Sequence, residues 1–227
     1  MAEPAVHRPL PLPHLRPAVA VAWMVALVLL FGMLAADLVL HGPITRLDAP
    51  ISAWFGNHLR PSTTQLMLAV SAMHQTVAIC IVAALLAIGL LSARQRHWVP
   101  LLLAAVPGGL VLNAVVKLGF ERARPAFDHP LVHLTTYSFP SGHAAGATVW
   151  WGFVLALWCT RERSAAARTA GAIVAVALVG ITALSRVYLG AHYPSDVLAG
   201  IVEGTFWLLA CFSGAQVVAH HGAGAMA

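Results

Sequence analysis

Charged residues are scarce in this chain. Asp, Glu, Lys and Arg together make up 9% of its 227 residues, whereas soluble domains carry about 25%. So few charges cannot cover a water-facing surface, and hydrophobic residues make up 59%. The composition therefore argues against a soluble domain. It favours a membrane protein, in which backbone polar groups are satisfied inside helices or a closed barrel.

Two further features are missing. The formal net charge is +5, but no long run of Lys or Arg is present, so nucleic acid is a poor candidate partner. The three cysteines form no CxxC motif and no cluster with histidine. We interpret Cys80, Cys159 and Cys211 as packing residues within apolar stretches.

Apolar stretches of spanning length recur along the chain, and a bilayer core needs roughly 20 residues of helix. Within them the acidic or basic residues are Asp37 and Glu203. The second stretch is longer than one straight span needs, which predicts a tilt, a kink or an interfacial segment near Gln75. The sequence thus predicts an all-α bundle of six transmembrane helices in a single domain, 1–227. The six stretches are 17–40, 64–93, 98–116, 141–160, 169–185 and 197–219.

Basic residues in the loops predict the orientation. An even number of spans places both termini on one side of the membrane. The tail 1–16 and two of the loops put seven basic residues on that side. The other side has six, of which three are assigned below to a substrate site. The termini are therefore expected in the cytoplasm of an inner-membrane protein. The seven residues are Arg8, Arg16, Arg94, Arg96, Arg161, Arg163 and Arg168.

The outward-facing loops are then about 41–63, 118–140 and 186–196. Residues 44–59 mix apolar and polar positions at loosely helical spacing. This pattern fits a helix lying on the outer membrane surface. It fits an ordinary loop with a few buried anchors equally well.

Two cations, Lys117 and Arg124, stand seven residues apart near the outer end of the third span. If that helix continues outward, seven residues is nearly two turns, and both cations project from one face. Pro125 would then end the helix at or near Arg124. Such a pair suits a phosphate dianion, although snorkelling to lipid headgroups also explains it. Arg122 is expected to point elsewhere, towards headgroups or solvent.

Pro140 to His143 directly precede the fourth span. Ser141 is a preferred N-cap, and the helix start behind it offers free N–H groups to an anion. Gly142 lets the backbone approach a ligand, and His143 can carry a proton to or from it. A plain capped helix with an interfacial histidine is the alternative.

The last outer loop runs from Ser185 to Asp196. Pro194 fits the first turn of a helix, which places His192 at the helix entry and Asp196 four residues on. The carboxylate can then accept a hydrogen bond from one imidazole nitrogen and leave the other free for attack. Alternatively, Asp196 is a favourable charge at a helix start and His192 an interfacial residue.

These groups converge on one predicted side of the membrane. Three cations, a helix start, two histidines and a carboxylate match the requirements of phosphoryl transfer without a metal. No cofactor is expected. The residues expected to meet are Lys117, Arg124, Ser141, Gly142, His143, Arg186, His192 and Asp196.

The same three segments resemble the signature of the type 2 phosphatidic acid phosphatase superfamily. KLGFERARP fits KxxxxxxRP, residues 140–143 are PSGH, and residues 185–196 fit SRxxxxxHxxxD. The family-like core covers about 98–214. The resemblance implies a helical bundle and metal-independent dephosphorylation.

The resemblance also implies roles for the residues. His192 would be the nucleophile that forms a phosphohistidine, Asp196 would orient it, and His143 would be the general acid. The phosphate would be held by Lys117, Arg124, Ser141, Gly142 and Arg186.

We therefore expect a phosphatase acting on a lipid phosphate or diphosphate at the extracytoplasmic face. Compact size slightly favours a polyprenyl (undecaprenyl-type) diphosphate over phosphatidic acid or phosphatidylglycerol phosphate. The vanadium haloperoxidases share the signature but are soluble. A non-catalytic lipid binder or transporter would need no nucleophile. Of the polar residues within spans, Glu203 lies two turns deeper than Asp196, and we expect it to pair with a polar neighbour.

Overall fold

Helices make up the regular structure of the described part of the chain. The structure, a computed structural model, describes residues 16–126, 131, 132 and 134–224. The predicted cytoplasmic tail, up to residue 15, lies outside them. The all-α class predicted from sequence is confirmed. The elements are α1 (Pro17–Val39), α2 (Pro43–Asn57), α3 (Pro61–Met73), α4 (Thr76–Ser92), a 3-10 turn (Arg96–Trp98), α5 (Val99–Phe120), α6 (Gly142–Cys159), α7 (Ala165–Tyr188) and α8 (Pro194–Gly224).

Four segments are long and apolar enough to cross a membrane: α1, Arg96–Phe120, α7 and Pro194–Ala219. Helices α3 and α4 pass together as a pair bent by 51°, which allows up to five spans. The chain is thus built as a multi-pass membrane protein, but the predicted six spans are not confirmed. Helix α6 is the predicted span that is absent from this set. It has 18 residues, near the lower length limit of a span, and it begins with Gly142 and His143.

The bend between α3 and α4 confirms a kink near Gln75, one of the three possibilities predicted for this stretch. The Gln75 backbone is extended. The adjoining His74 is buried. Its Nε2 accepts a hydrogen bond from Trp151 Nε1 at 2.9 Å, and its Nδ1 lies 3.2 Å from the Thr182 hydroxyl. These contacts with α6 and α7 offset the cost of placing a histidine in the apolar interior.

Helix α6 lies at the centre of the bundle and contacts α4, α5, α7 and α8. It approaches α8 closely because Gly200 and Gly204 have no side chain. A Cβ at Gly200 would lie 2.4 Å from the Ser141 carbonyl oxygen, and one at Gly204 would lie 2.6 Å from the Ala145 carbonyl oxygen. Small residues at this spacing allow membrane helices to pack backbone to backbone. The start of α6 is thereby fixed against the first turns of α8.

Residues 44–59 form a helix rather than a loop over most of their length, as α2. Asp37, in the last turn of α1, explains where it starts. Its carboxylate accepts hydrogen bonds from the Thr45 N–H at 2.7 Å and the Thr45 hydroxyl at 2.8 Å. A carboxylate at a helix start is a favourable cap. Helix α2 also contacts α7 and α8, and its position on the outer membrane surface stays a prediction.

Helix α5 ends earlier than predicted. Its C-cap, Glu121, has the left-handed φ of 46°, and its N–H donates to the Lys117 carbonyl. Lys117 therefore belongs to the last turn of α5, whereas Arg124 lies in the irregular segment beyond it. The prediction that both cations share one helix face is wrong. The left-handed Glu121 ends the helix four residues before Pro125.

Candidate active site

The three segments singled out in the sequence meet at one end of the bundle. The Ser141 N–H donates to the Asp196 carbonyl oxygen at 2.9 Å, which joins the starts of α6 and α8. Lys117 Nζ donates to the Pro140 carbonyl oxygen at 2.6 Å. Arg124 Nη1 lies 3.1 Å from His192 Nε2. Each motif therefore contacts another.

Lys117 and Arg124 converge although they share no helix. Both donate to the Tyr137 carbonyl oxygen, each at 3.0 Å. Arg124 also donates to the Thr136 carbonyl oxygen at 2.7 Å and to the Ala191 carbonyl oxygen at 2.5 Å. Partial burial lowers the pKa of Arg124, and the Asp196 carboxylate opposes that shift. These bonds fix both cations at the same place.

Arg186 is the third cation, and it is 2% exposed. Its Nη1 donates to the hydroxyl of Ser71 in α3. Its Nε is buried and has no hydrogen-bond partner among the described residues. Arg186 and Arg124 also interact electrostatically. A buried guanidinium with a spare donor is costly unless an anion approaches it.

His192 is buried, and its hydrogen bonds define its tautomer. Its Nδ1 lies 2.7 Å from the Ser138 carbonyl oxygen. A carbonyl can only accept, so Nδ1 carries the proton and Nε2 keeps its lone pair. Burial lowers the pKa of His192 to about 4, although the Asp196 carboxylate opposes this. The imidazole is therefore neutral at neutral pH, as a nucleophile requires.

The predicted hydrogen bond between His192 and Asp196 is absent from the geometry. Asp196 Oδ2 lies 3.7 Å from His192 Nδ1, which is beyond hydrogen-bond distance. Asp196 instead accepts from the Ser138 hydroxyl and from the Tyr193 N–H at 2.8 Å. The Asp196 carboxylate thus fixes the position of Ser138, and the Ser138 carbonyl in turn orients the His192 imidazole. The sequence could not reveal this, because a backbone carbonyl belongs to every residue.

The start of α6 matches the prediction. The Ser141 hydroxyl accepts from the Ala144 N–H at 3.4 Å, which makes it the N-cap. A Cβ at Gly142 would lie 2.8 Å from Asn113 Oδ1, so only glycine fits without a shift. His143 Nε2 is buried and has no hydrogen-bond partner in the described part of the chain. It interacts electrostatically with Arg186 and His192, so it belongs to the same cluster.

The sequence analysis placed Arg122 wrongly and did not identify Asp48 as part of the cluster. Arg122 does not face headgroups or solvent. Its Nη2 donates to Asp48 Oδ2 at 2.7 Å, and its Nη1 donates to Asp196 Oδ1 at 2.5 Å. Its guanidinium also lies over the Tyr193 ring, 4.2 Å from the centroid. The expectation for Arg122 assumed a helix that continues past it, but α5 ends at Phe120. No spacing rule links Asp48 to residues so distant in sequence.

Glu203 pairs with a polar neighbour, as predicted. Its Oε2 accepts from Asn113 Nδ2 at 2.7 Å, and both side chains are buried. Asn113 also lies against Gly142. Glu203 therefore supports the floor of the cluster through Asn113.

Known proteins are similar to this chain in sequence. In Bacillus subtilis strain 168, phosphatidylglycerophosphatase B is 35% identical over 113 residues, which is 48% of this chain and 55% of that protein. In Mycobacterium tuberculosis H37Rv, decaprenylphosphoryl-5-phosphoribose phosphatase is 36% identical over 132 residues, 55% of this chain and 64% of that protein. The alignments thus span between about half and two thirds of these relatives' length.

A solved structure shows the same fold. The crystal structure of the first transmembrane PAP2 type phosphatidylglycerolphosphate phosphatase, from Bacillus subtilis, matches with a TM-score of 0.72 and 27% identity. The match covers 83% of this chain and 94% of that one. The sequence model that describes the PAP2 superfamily matches residues 97–218 of this chain. This range is close to the core of 98–214 predicted from the motifs. This chain therefore belongs to the PAP2 superfamily.

Proposed function

We propose that this chain is a membrane phosphatase that removes phosphate from a lipid phosphate or diphosphate through a phosphohistidine, without a metal. The observation that carries the proposal is the geometry of His192. Its Nδ1 is held by the Ser138 carbonyl, and its Nε2 keeps a lone pair beside Arg124. Membership of the PAP2 superfamily supports the same reading.

The first half of the reaction uses His192 and His143. Nε2 of His192 attacks phosphorus, and the bond between phosphorus and the lipid oxygen breaks as the N–P bond forms. For this, Arg124 exchanges its contact with Nε2 for a phosphate oxygen. His143, in its protonated form, gives a proton to the leaving oxygen. Lys117, Arg186 and the amides at the start of α6 stabilise the charge on the other oxygens.

The second half returns the protein to its starting state. His143, now without its proton, removes a proton from water. The water oxygen attacks phosphorus, the N–P bond breaks, and inorganic phosphate leaves. Nδ1 of His192 keeps its proton on the Ser138 carbonyl throughout.

The surroundings of the cluster and the names of the relatives support a lipid phosphate or diphosphate as the substrate. Helices α5, α7 and α8 carry the cluster at the end of apolar segments, where a headgroup can enter while its tails stay in lipid. The relatives' names include a phosphatidylglycerophosphatase, a decaprenylphosphoryl-5-phosphoribose phosphatase and a putative undecaprenyl-diphosphatase. We favour a polyprenyl diphosphate, with phosphatidic acid and phosphatidylglycerol phosphate as alternatives.

The topology that accompanies this function has six spans in one domain, 1–227, with the bent pair α3 and α4 counted as one span and α6 counted as the span between α5 and α7. Lys117 ends α5, Ser141 starts α6, Arg186 ends α7 and Pro194 starts α8. Since these ends meet, α5 to α8 alternate in direction across the membrane. Both termini would be cytoplasmic and the site would face outward. A reporter fused to the C-terminus should report the cytoplasm, and an external signal would invert this topology.

Phosphate release from a panel of purified lipid phosphates and diphosphates tests the function. We expect turnover of at least one lipid by the wild type, unchanged in excess chelator, and none by His192→Ala with an unchanged unfolding temperature. Arg163→Gln, at an exposed position, is the control. Wild-type activity in His192→Ala would end the nucleophile assignment, and binding of lipid without turnover by the wild type would indicate a binder or transporter. Loss of turnover in chelator, restored by magnesium, would overturn the metal-free mechanism.

A further inference from the structure

A carboxylate from outside the matched family region caps the start of α8. Asp48 lies in α2 and is 2% exposed. Its Oδ1 accepts the Ser195 N–H at 3.0 Å, and its Oδ2 accepts the Ser195 hydroxyl at 2.5 Å. The same Oδ2 accepts from Arg122 Nη2 at 2.7 Å. Asp48 therefore satisfies a free N–H of the helix start and binds a cation beside it.

Arg122 connects this cap to the nucleophile. Its other terminal nitrogen, Nη1, donates to Asp196 Oδ1 at 2.5 Å. Asp196 Oδ2 accepts from the Ser138 hydroxyl, and the Ser138 carbonyl holds His192 Nδ1 at 2.7 Å. A continuous series of contacts therefore runs from Asp48 through Arg122, Asp196 and Ser138 to His192.

Building on the proposed function, we propose that Asp48 and Arg122 are positioning residues for the His192 nucleophile. They touch neither the substrate nor the reacting atoms. Their task is to fix the Asp196 carboxylate and the start of α8, so that the Ser138 carbonyl orients the imidazole towards phosphorus. The consequence is that α2, which carries no family motif, completes the active site.

The charges explain why both residues are needed. Asp48 and Asp196 are both buried, and Arg122 bridges them with one nitrogen each. Without Arg122, both buried carboxylates would lose the guanidinium that neutralises them. Without Asp48, Arg122 would keep a single carboxylate, and the Ser195 N–H would lose its partner. Either loss lets the start of α8 move relative to His192.

The acid limb of kcat/KM provides a readout that a purely structural role would not move. Arg122→Gln leaves Asp196 with its full charge, which favours protonation of His192 and moves the limb to higher pH. Asp48→Asn removes a negative charge that partly neutralises Arg122. The stronger positive charge disfavours protonation of His192 and moves the acid limb to lower pH. The charged or titratable groups that surround His192 are Asp196, Arg124, Lys117, His143 and, on the adjoining turn, Arg186.

The experiment compares Asp48→Asn, Arg122→Gln and the double variant with the wild type, using the lipid that the wild type hydrolyses. We expect each single variant to lose about 10- to 100-fold in kcat, the loss seen when a partner that orients a metal-ligating histidine is removed, with KM nearly unchanged. The double variant should lose little more than Arg122→Gln alone, because both residues act through one series of contacts. Glu162→Gln and Arg163→Gln, in the loop between α6 and α7, are the matched controls.

The outcomes separate this inference from the proposed function. A wild type that hydrolyses no lipid of the panel overturns both. An active wild type together with single variants that keep its kcat and its acid limb overturns only the positioning role. If Asp48→Asn fails to fold, Arg122→Lys decides. It keeps the charge but cannot bridge two carboxylates, so it should lose kcat, and wild-type kcat in it refutes the inference.

Discussion

Replacing Gly142 by alanine should separate activity from folding. A Cβ at this position would lie 2.8 Å from Asn113 Oδ1, whereas ordinary contacts begin at 3.4 Å. Asn113 cannot turn away without losing its 2.7 Å hydrogen bond to Glu203. The start of α6 must therefore move by about 0.6 Å. Since a displacement of about 1 Å at a reacting centre can cost about 10²-fold, we expect kcat/KM to fall about 10-fold or more.

The fold should tolerate this change. Overpacking costs about 1–3 kcal/mol, and replacing glycine by alanine in a helix returns up to about 1 kcal/mol. The net cost, at most about 3 kcal/mol, leaves most proteins folded. Purified protein in detergent should therefore unfold no more than about 10 °C below the wild type.

Gly146→Ala is the matched control, one turn further along α6. Its Cβ would lie 3.3 Å from Ile79 Cδ1, the tip of a side chain that can adjust. Initial rates of phosphate release and thermal unfolding should both stay near the wild type. Wild-type rates in Gly142→Ala would show that the close approach to Asn113 does not position the site. An equal loss in Gly146→Ala would show that any added methyl group in α6 has the same effect.

Two further predictions concern His192 and Arg124. The acid limb of kcat/KM, which reports the free enzyme, should lie near pH 4 rather than near the ordinary imidazole value of 6.5, because protonation below that pKa removes the lone pair on Nε2. Rates measured across pH, corrected for ionisation of the substrate, check this, and a limb near 6.5 would contradict it. Arg124→Lys should lose about 10- to 100-fold in kcat/KM, from roughly 1.5–3 kcal/mol for a hydrogen bond to a charged group, because lysine lacks the planar fork. A wild-type value of kcat/KM in Arg124→Lys would show that the positive charge alone suffices. Arg163→Lys is the control.

The sequence predicts the helix starts of this fold well because their signals are local. Ser141 caps α6 and Pro194 starts α8, as expected from neighbouring residues alone. The length of one apolar stretch also predicted a tilt, a kink or an interfacial segment near Gln75, and the structure has a kink there. Helix ends are harder. The left-handed Glu121 ends α5 before Arg124. Glutamate does not favour the left-handed conformation, so the sequence does not predict a helix end at this position.

The site is predicted in its residue types but not in its connections. Lys117, Arg124 and His192 are all recognisable from motifs, and the structure brings them together. Two kinds of contact escape such patterns. Asp48 reaches Arg122 across a long stretch of chain, and the Ser138 carbonyl is a backbone group. Only the folded chain shows that the carboxylate and the imidazole are linked through Ser138.

The pairing of charges explains how the site can receive an anion. In the described residues, the side-chain hydrogen bonds of Lys117, Arg124 and Arg186 go to carbonyls, hydroxyls and an imidazole, not to carboxylates. The carboxylate of Asp196 is instead taken by Arg122. A carboxylate free to pair with Arg124 would compete with phosphate for its guanidinium. By binding Asp196, Arg122 leaves the positive charges of the other three cations available to the phosphate. Arg122 therefore favours substrate binding although it does not contact the substrate.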